Sequence, residues 1–303
     1  MALRFTATLA LVGCAASGLA PTSGSTTSTQ AGSTHVLRYL PTHYAARAVV
    51  PDSSSGSGGL LKYYGGPVLV HPKIYLIFWG YKKYGDPDRV APLLEAYSKA
   101  VGGSTHNSIY TQYYDIVDGK TNYITNFRGQ LGGVWFDNKT PVPPEPTDVQ
   151  IGNEALKGVS RFGYDASGSY VVATPHGRSP IGFGTQWCAY HSGTQEGTNL
   201  VSYTNLPYMP DAGDSCGADS TSPPKDERAK DEGVTIVEGH EYADSITDPN
   251  PGSGWYNFEY GEIGGSCSGN DIQNDPFGKK SYATGPEFSN VTETCVQAYF
   301  AQQ

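Results

Sequence analysis

Charge is scarce in this 303-residue chain: Asp, Glu, Lys and Arg make up 16 % of it, and no Lys/Arg cluster occurs. With a net charge of −9, that argues against a nucleic-acid partner or an anionic membrane surface. There is no C-x-x-C pair, which disfavours a thiolate zinc site. No G-x-S-x-G follows a strand-like run, so a serine nucleophile lacks its elbow. The leading apolar run, Phe5 to Gly13, is too short to cross a bilayer. Pieces such as "SGNDIQNDP" fit no calcium-loop register, and no internal repeat is visible.

Glycine (38), tyrosine (22) and proline (21) are abundant, as in loop-rich extracellular proteins. The N-terminus carries an export signature: Arg4, a short apolar run, then "LVGC", Leu11 to Cys14. That string resembles a bacterial lipobox, with Cys14 as the lipidated residue; ordinary signal cleavage a few residues later is the alternative. Removing Cys14 leaves Cys188, Cys216, Cys267 and Cys295, an even set expected to form two disulfides. Sequential pairing closes the shorter loops and is the expected connectivity. The expected location is extracellular or in the cell envelope.

Residues 15–59 are rich in Ser, Thr and Gly and read as a flexible tether between the leader, 1–14, and a single globular domain, 60–303. Within the domain, "PVLVHPKIYLIFWG" reads as two strands broken by Pro72. Asp88 to Val101 reads as a helix stopped by Gly102-Gly103. "SIYTQYYDI" and "TNYITNFRGQLGGVWF" read as strands, Val149 to Val159 as a short helix and "GSYVVATP" as a buried strand. The span 184–224 reads as loop. Asp226 to Ile246 reads as one helix ending before Asp248-Pro249, and the Gly-rich tail as short strands. Interleaved helices and strands imply an α/β or α+β fold with a mixed sheet.

The chemistry concentrates in "VEGHEYADSITDPNPGSGWYNFEYGEIGGSC", Val237 to Cys267. His-Glu-x-x-His on a helix sets two ligands one turn apart with a glutamate beside the metal-bound water. Here Asp244 takes the second position, and a carboxylate can also ligate zinc. The expected ligands are therefore His240 and Asp244, with Glu262 of "GEIGG" as the third and Glu241 as general base. Asp248 and His191 of "WCAYHS" are rivals for the third place. Zinc is the expected ion and calcium the alternative. A solvated polar helix is the competing reading; the apolar neighbours Val234, Ile236, Val237, Tyr242, Ala243 and Ile246 argue against it, because they bury the helix.

Four segments, "YYGGPVLVHPKIYLIFWG", "WCAYHS", "LPYMPDAGDSCG" and "GHEYADSITDP…GWYNFEYGEIGGSC", together resemble the EXORDIUM-like, phosphate-induced protein family, particularly its bacterial secreted branch. Bacterial members often keep a His-Glu-x-x-Glu helix before "TDP" and an E-x-G-D-x-C motif after it. Asp244 and Gly265 stand where those patterns have Glu and Asp. The resemblance leaves two functions open: an exported zinc metallopeptidase-like domain hydrolysing peptide bonds, and a non-catalytic envelope protein binding an extracellular peptide, protein or cell-wall polymer.

Overall fold

The computed structural model describes residues 59–221, 228–269 and 271–300. The expected leader, Cys14 included, and the tether apart from Gly59 lie outside the described residues.

In chain order the strands are β1 (Lys62–Tyr63), β2 (Lys73–Trp79), β3 (Tyr114–Val117), β4 (Lys120–Tyr123), β5 (Leu131–Asp137), β6 (Gly168–Ala173), β7 (Tyr190–Glu196) and β8 (Asn199–Leu206). Beyond them come β9 (Trp255–Tyr256), β10 (Gln273–Phe277), β11 (Lys280–Thr284), β12 (Glu287–Ser289) and β13 (Thr294–Val296). Three longer helices interleave with these: α1 (Val90–Val101), α2 (Asp148–Phe162) and α3 (Glu232–Thr247). A mixed α/β architecture results.

The central sheet has five strands in the order β5-β2-β6-β8-β7. β5, β2, β6 and β8 run parallel and β7 returns antiparallel at the edge. Parallel strands covered on both faces read as continuous apolar runs, which is what "IYLIFW" in β2 is. Alternation then sorts its side chains. Ile74, Leu76 and Phe78 join the core that holds α1 and α3. Tyr75, Ile77 and Trp79 join the core under α2, with Ile151, Ala155 and Val159. The start of α2 is fixed by a capping box, Thr147 with Gln150.

Every residue of α3 is buried. A helix polar in sequence yet buried all round runs through the interior, and it needs close neighbours. Gly233 provides one: a Cβ there would stand 1.9 Å from the Cys216 carbonyl oxygen. We expect Gly233→Ala to cost about 1–3 kcal/mol through forced backbone movement, read as a lower urea midpoint at unchanged slope. A wild-type midpoint would show that Cys216 moves freely.

Two disulfides staple the domain, Cys188–Cys216 and Cys267–Cys295, the sequential pairing expected. Several sequence readings need correction. "PVLVHPKIYLIFWG" holds one strand, not two. Its first half ties to other partners, with Leu69 N donating to Ile246 O and Val70 O accepting from Thr125 N. "SIYTQ" winds into a 3-10 turn, Asn107–Gln112, before β3. The largest error is 184–224, which contains the β7–β8 hairpin. Its two-residue turn, Gly197-Thr198, uses glycine at φ 64°, but its polar flanks hide the strands. The last helix begins at Glu232, after a 3-10 turn at Ala229–Asp231, and Asp226 lies outside the described residues.

Candidate metal centre

Two elements bring the site together. α3 carries His240, Glu241, Asp244 and, just past its end, Asp248; at 100° per residue these four share about 100° of the circumference. β7 brings His191. Tyr190 faces the α2 core, so by alternation His191 faces α3. The neighbouring Cys188–Cys216 bond holds the base of that strand.

His191, Glu241 and Asp244 are all buried, and each offers a ligand atom within 4.8 Å of the others. His191 Nδ1 lies 3.4 Å from Glu241 Oε2. Its Nε2 lies 3.1 Å from the Asp248 carbonyl oxygen and 3.3 Å from Glu262 Oε1. A carbonyl can only accept, so Nε2 carries the proton, and in the neutral ring the Nδ1 lone pair is turned to Glu241. Metal-ligating histidines show this pattern, one nitrogen on the ion and the other donating to a carbonyl or carboxylate. His240 Nε2 stands 3.3 Å from Asp244 Oδ2, while Asp244 Oδ1 accepts from Gly264 N at 2.7 Å.

Two features of the donor set bear on a metal. Ligands on one tetrahedral zinc, each at about 2.0–2.1 Å, lie about 3.3 Å apart; the His191–Glu241 gap of 3.4 Å matches that edge, while the group with Asp244 spreads over 4.8 Å. Second, Glu241 Oε1, both Glu262 oxygens, both Glu238 oxygens, Glu287 Oε2 and His191 Nδ1 are buried without a hydrogen-bond partner. Buried polar atoms are normally satisfied, and carboxylates stacked like this repel. The residues fit a cation.

Without an ion, the electrostatics place protons where a metal would bind, and binding would release them. Burial, then the neighbouring His191, depresses the His240 pKa to about 3, so its ring is neutral and competent as a ligand. Burial also opposes charge on His191, but Glu262 and Glu241 outweigh it and raise its pKa well above the usual value. Desolvation raises Glu238, Glu262 and Glu287 well above the carboxylate range and Asp244 to about 8. The cationic influence on Glu241, Asp244, Asp248 and Glu262 comes from His191.

The structure therefore brings His240 and Asp244 into contact, puts Glu241 beside them, and places Glu262 behind His191. Asp248 is occupied: its carboxylate accepts from the backbone N–H of Gly252, Ser253 and Gly254 and shapes the turn after α3. The sequence named His191 only as a rival. Its signal was the histidine three residues after a cysteine that a disulfide would hold still.

Gly264 is needed for contact: a Cβ would meet His240 Nδ1 at 2.7 Å and Asp244 Oδ1 at 3.0 Å. We expect Gly264→Ala to weaken metal binding about 10- to 100-fold, the range for loss of an orienting partner, measured by competition with a chelator. Unchanged affinity would show that the contact is dispensable.

Comparison with protein-family models, curated proteins and solved structures finds no match to this chain. Fold and site define a mixed α/β protein with two disulfides and a buried His/Glu/Asp group able to hold a metal ion.

Proposed function

We propose that this chain is an exported, zinc-dependent hydrolase of peptide bonds. One observation carries the reading: an imidazole from an edge strand and two carboxylates from a buried helix converge within 4.8 Å. Nitrogen in the donor set favours zinc over calcium, which takes oxygen ligands. Peptide as substrate is supported by the likeness of Gly239–Asp244 to the His-Glu-x-x-His helix. The EXORDIUM-like segments support the secreted setting, as do the two disulfides.

His191 and Asp244 would hold the ion in this reading, with Glu241 beside it. When bound, zinc polarises a carbonyl and makes a water more acidic. Glu241 turns Oε2 to His191 and leaves Oε1 without a partner, so Oε1 is the atom that accepts a proton. His240 is buried beside them, its side chain 8 % exposed while that of Asp244 is 1 %. The Asp248 carbonyl orients His191 from behind, with Glu262 Oε1 3.3 Å from the same nitrogen.

Elemental analysis of the purified protein, together with a peptidase assay on Glu241→Gln, tests this. One zinc per chain in both proteins, peptidase activity in the wild type and activity reduced about 10²- to 10⁴-fold in the variant support it. Absence of stoichiometric metal defeats it. A second reading is a non-catalytic envelope protein whose ion is purely structural, and the near-complete burial of Glu241, Asp244 and Glu262 favours it. Full metal with no peptidase activity in the wild type would select that reading.

A further inference from the structure

Two buried hydroxyls flank the His191–Glu241 contact. Thr204 of β8 stands directly across the antiparallel ladder from His191. The two side chains therefore share a face, with their Cβ atoms about 4.5–5.5 Å apart. That face is the one turned to α3: Leu206, two residues on, belongs to the core of α1 and α3, whereas Tyr203 belongs to the core under α2. The second hydroxyl comes from the helix. Glu241, Ser245 and Asp248 lie within about 60° of its circumference. The His191 ring touches the two outer members of that set, Glu241 Oε2 through Nδ1 and the Asp248 carbonyl through Nε2. Ser245 lies between them and so faces the same pair of strands. Thr204 and Ser245 are both 0 % exposed, and neither hydroxyl has a hydrogen-bond partner; Glu241 Oε1 has none either. Helical hydroxyls commonly bond to the carbonyl four residues back, as Thr247 does to Ala243 O at 3.0 Å. Ser245 makes no such bond.

We propose that Thr204 and Ser245 are positioning residues of the cation site, holding between them one buried water that donates to Glu241 Oε1. The water accepts from one hydroxyl and donates to the other and to the carboxylate, and three polar partners are what a buried water takes. Buried hydroxyls are normally satisfied, and this arrangement satisfies both at once. A carboxylate oxygen has two lone pairs, so Oε1 keeps one for the proton it accepts in the proposed reaction, on which the positioning role rests. Glu241 is then fixed from two sides, by His191 at Oε2 and by the water at Oε1.

Thr204→Val keeps the shape of the side chain and removes the hydroxyl, Thr204→Ser keeps the hydroxyl, and Ser245→Ala removes the other one. For each whole protein, the melting temperature after chelation and the zinc affinity by competition with a chelator are measured. Thr204→Val and Ser245→Ala should melt about 2–4 °C below the wild type and bind zinc about 10- to 100-fold more weakly, the range for loss of an orienting partner. Thr204→Ser should stay near the wild type in both. A hydroxyl that no water satisfies gives the opposite sign, because its removal relieves a buried unpaired group: an unchanged or higher melting temperature in Thr204→Val overturns the proposal. Unchanged zinc affinity in Thr204→Val and Ser245→Ala overturns the positioning role, and an equal loss in Thr204→Ser assigns the effect to the methyl group and overturns it too. The melting comparison needs no metal, so a wild type that binds no zinc defeats the function proposed above while this comparison still decides the water.

Discussion

In the metal-dependent reading, a strong chelator is expected to lower the melting temperature by about 10 °C or more. Breaking a buried charged partnership by removing one side costs about 3–5 kcal/mol, and about 1 kcal/mol shifts a domain of this size by about 2–4 °C. Glu238, Glu241, Asp244, Asp248, Glu262 and Glu287 are all essentially excluded from water, so the metal-free interior must protonate most of them. That fixes a second, signed expectation. Burial raises the Asp244 pKa to about 8 in the folded chain, against about 3.9 unfolded. Between those values the folded state binds more protons, so stability is fully present below about pH 4 and is lost as pH rises through about 8. The stripped protein should therefore weaken from pH 5 to pH 8. The metal-loaded protein should not, because binding needs deprotonated ligands. Identical melting curves with and without chelator would remove the ion from the account of this fold.

The second large effect concerns the disulfides. Each closes a loop of the same length, with a sequence separation of 28. In the chain-entropy account a bridge of that span contributes about 3–4 kcal/mol. We expect the Cys188→Ser, Cys216→Ser protein and the Cys267→Ser, Cys295→Ser protein each to lose about that much in urea unfolding. They should differ in a second measurement. Cys188 stands three residues before His191, and Cys216 rests against Gly233 of α3, so the first pair ties the strand carrying His191 to the helix carrying Glu241 and Asp244. Metal affinity should fall further in the first variant than in the second. Equal affinities would show that the sheet alone positions His191.

The sequence by itself determined those features that depend on local pattern. The buried run of β2, the helices α1 and α2, the end of α3 before Asp248-Pro249 and the pairing of cysteines by nearest neighbour all follow from periodicity, capping, proline and loop length. His240, Glu241 and Asp244 were marked out because helical spacing places them on one face, which needs no knowledge of the rest of the chain. Only the tertiary structure decided what completes the cluster. Glu262 was preferred as the nearest good candidate beyond the helix, flanked by glycine, but it lies on the Nε2 side of His191. His191 comes from a hairpin whose polar sequence reads as loop; its strands exist because β8 adds to β6 in the sheet and β7 folds back on it. Pairing of that kind is non-local, so its stabilisation is absent from any short window of sequence. The apolar neighbours of His240 already implied burial of α3, but that it is buried on every side follows only from the sheet, α1, the Cys216 turn and β11 closing around it.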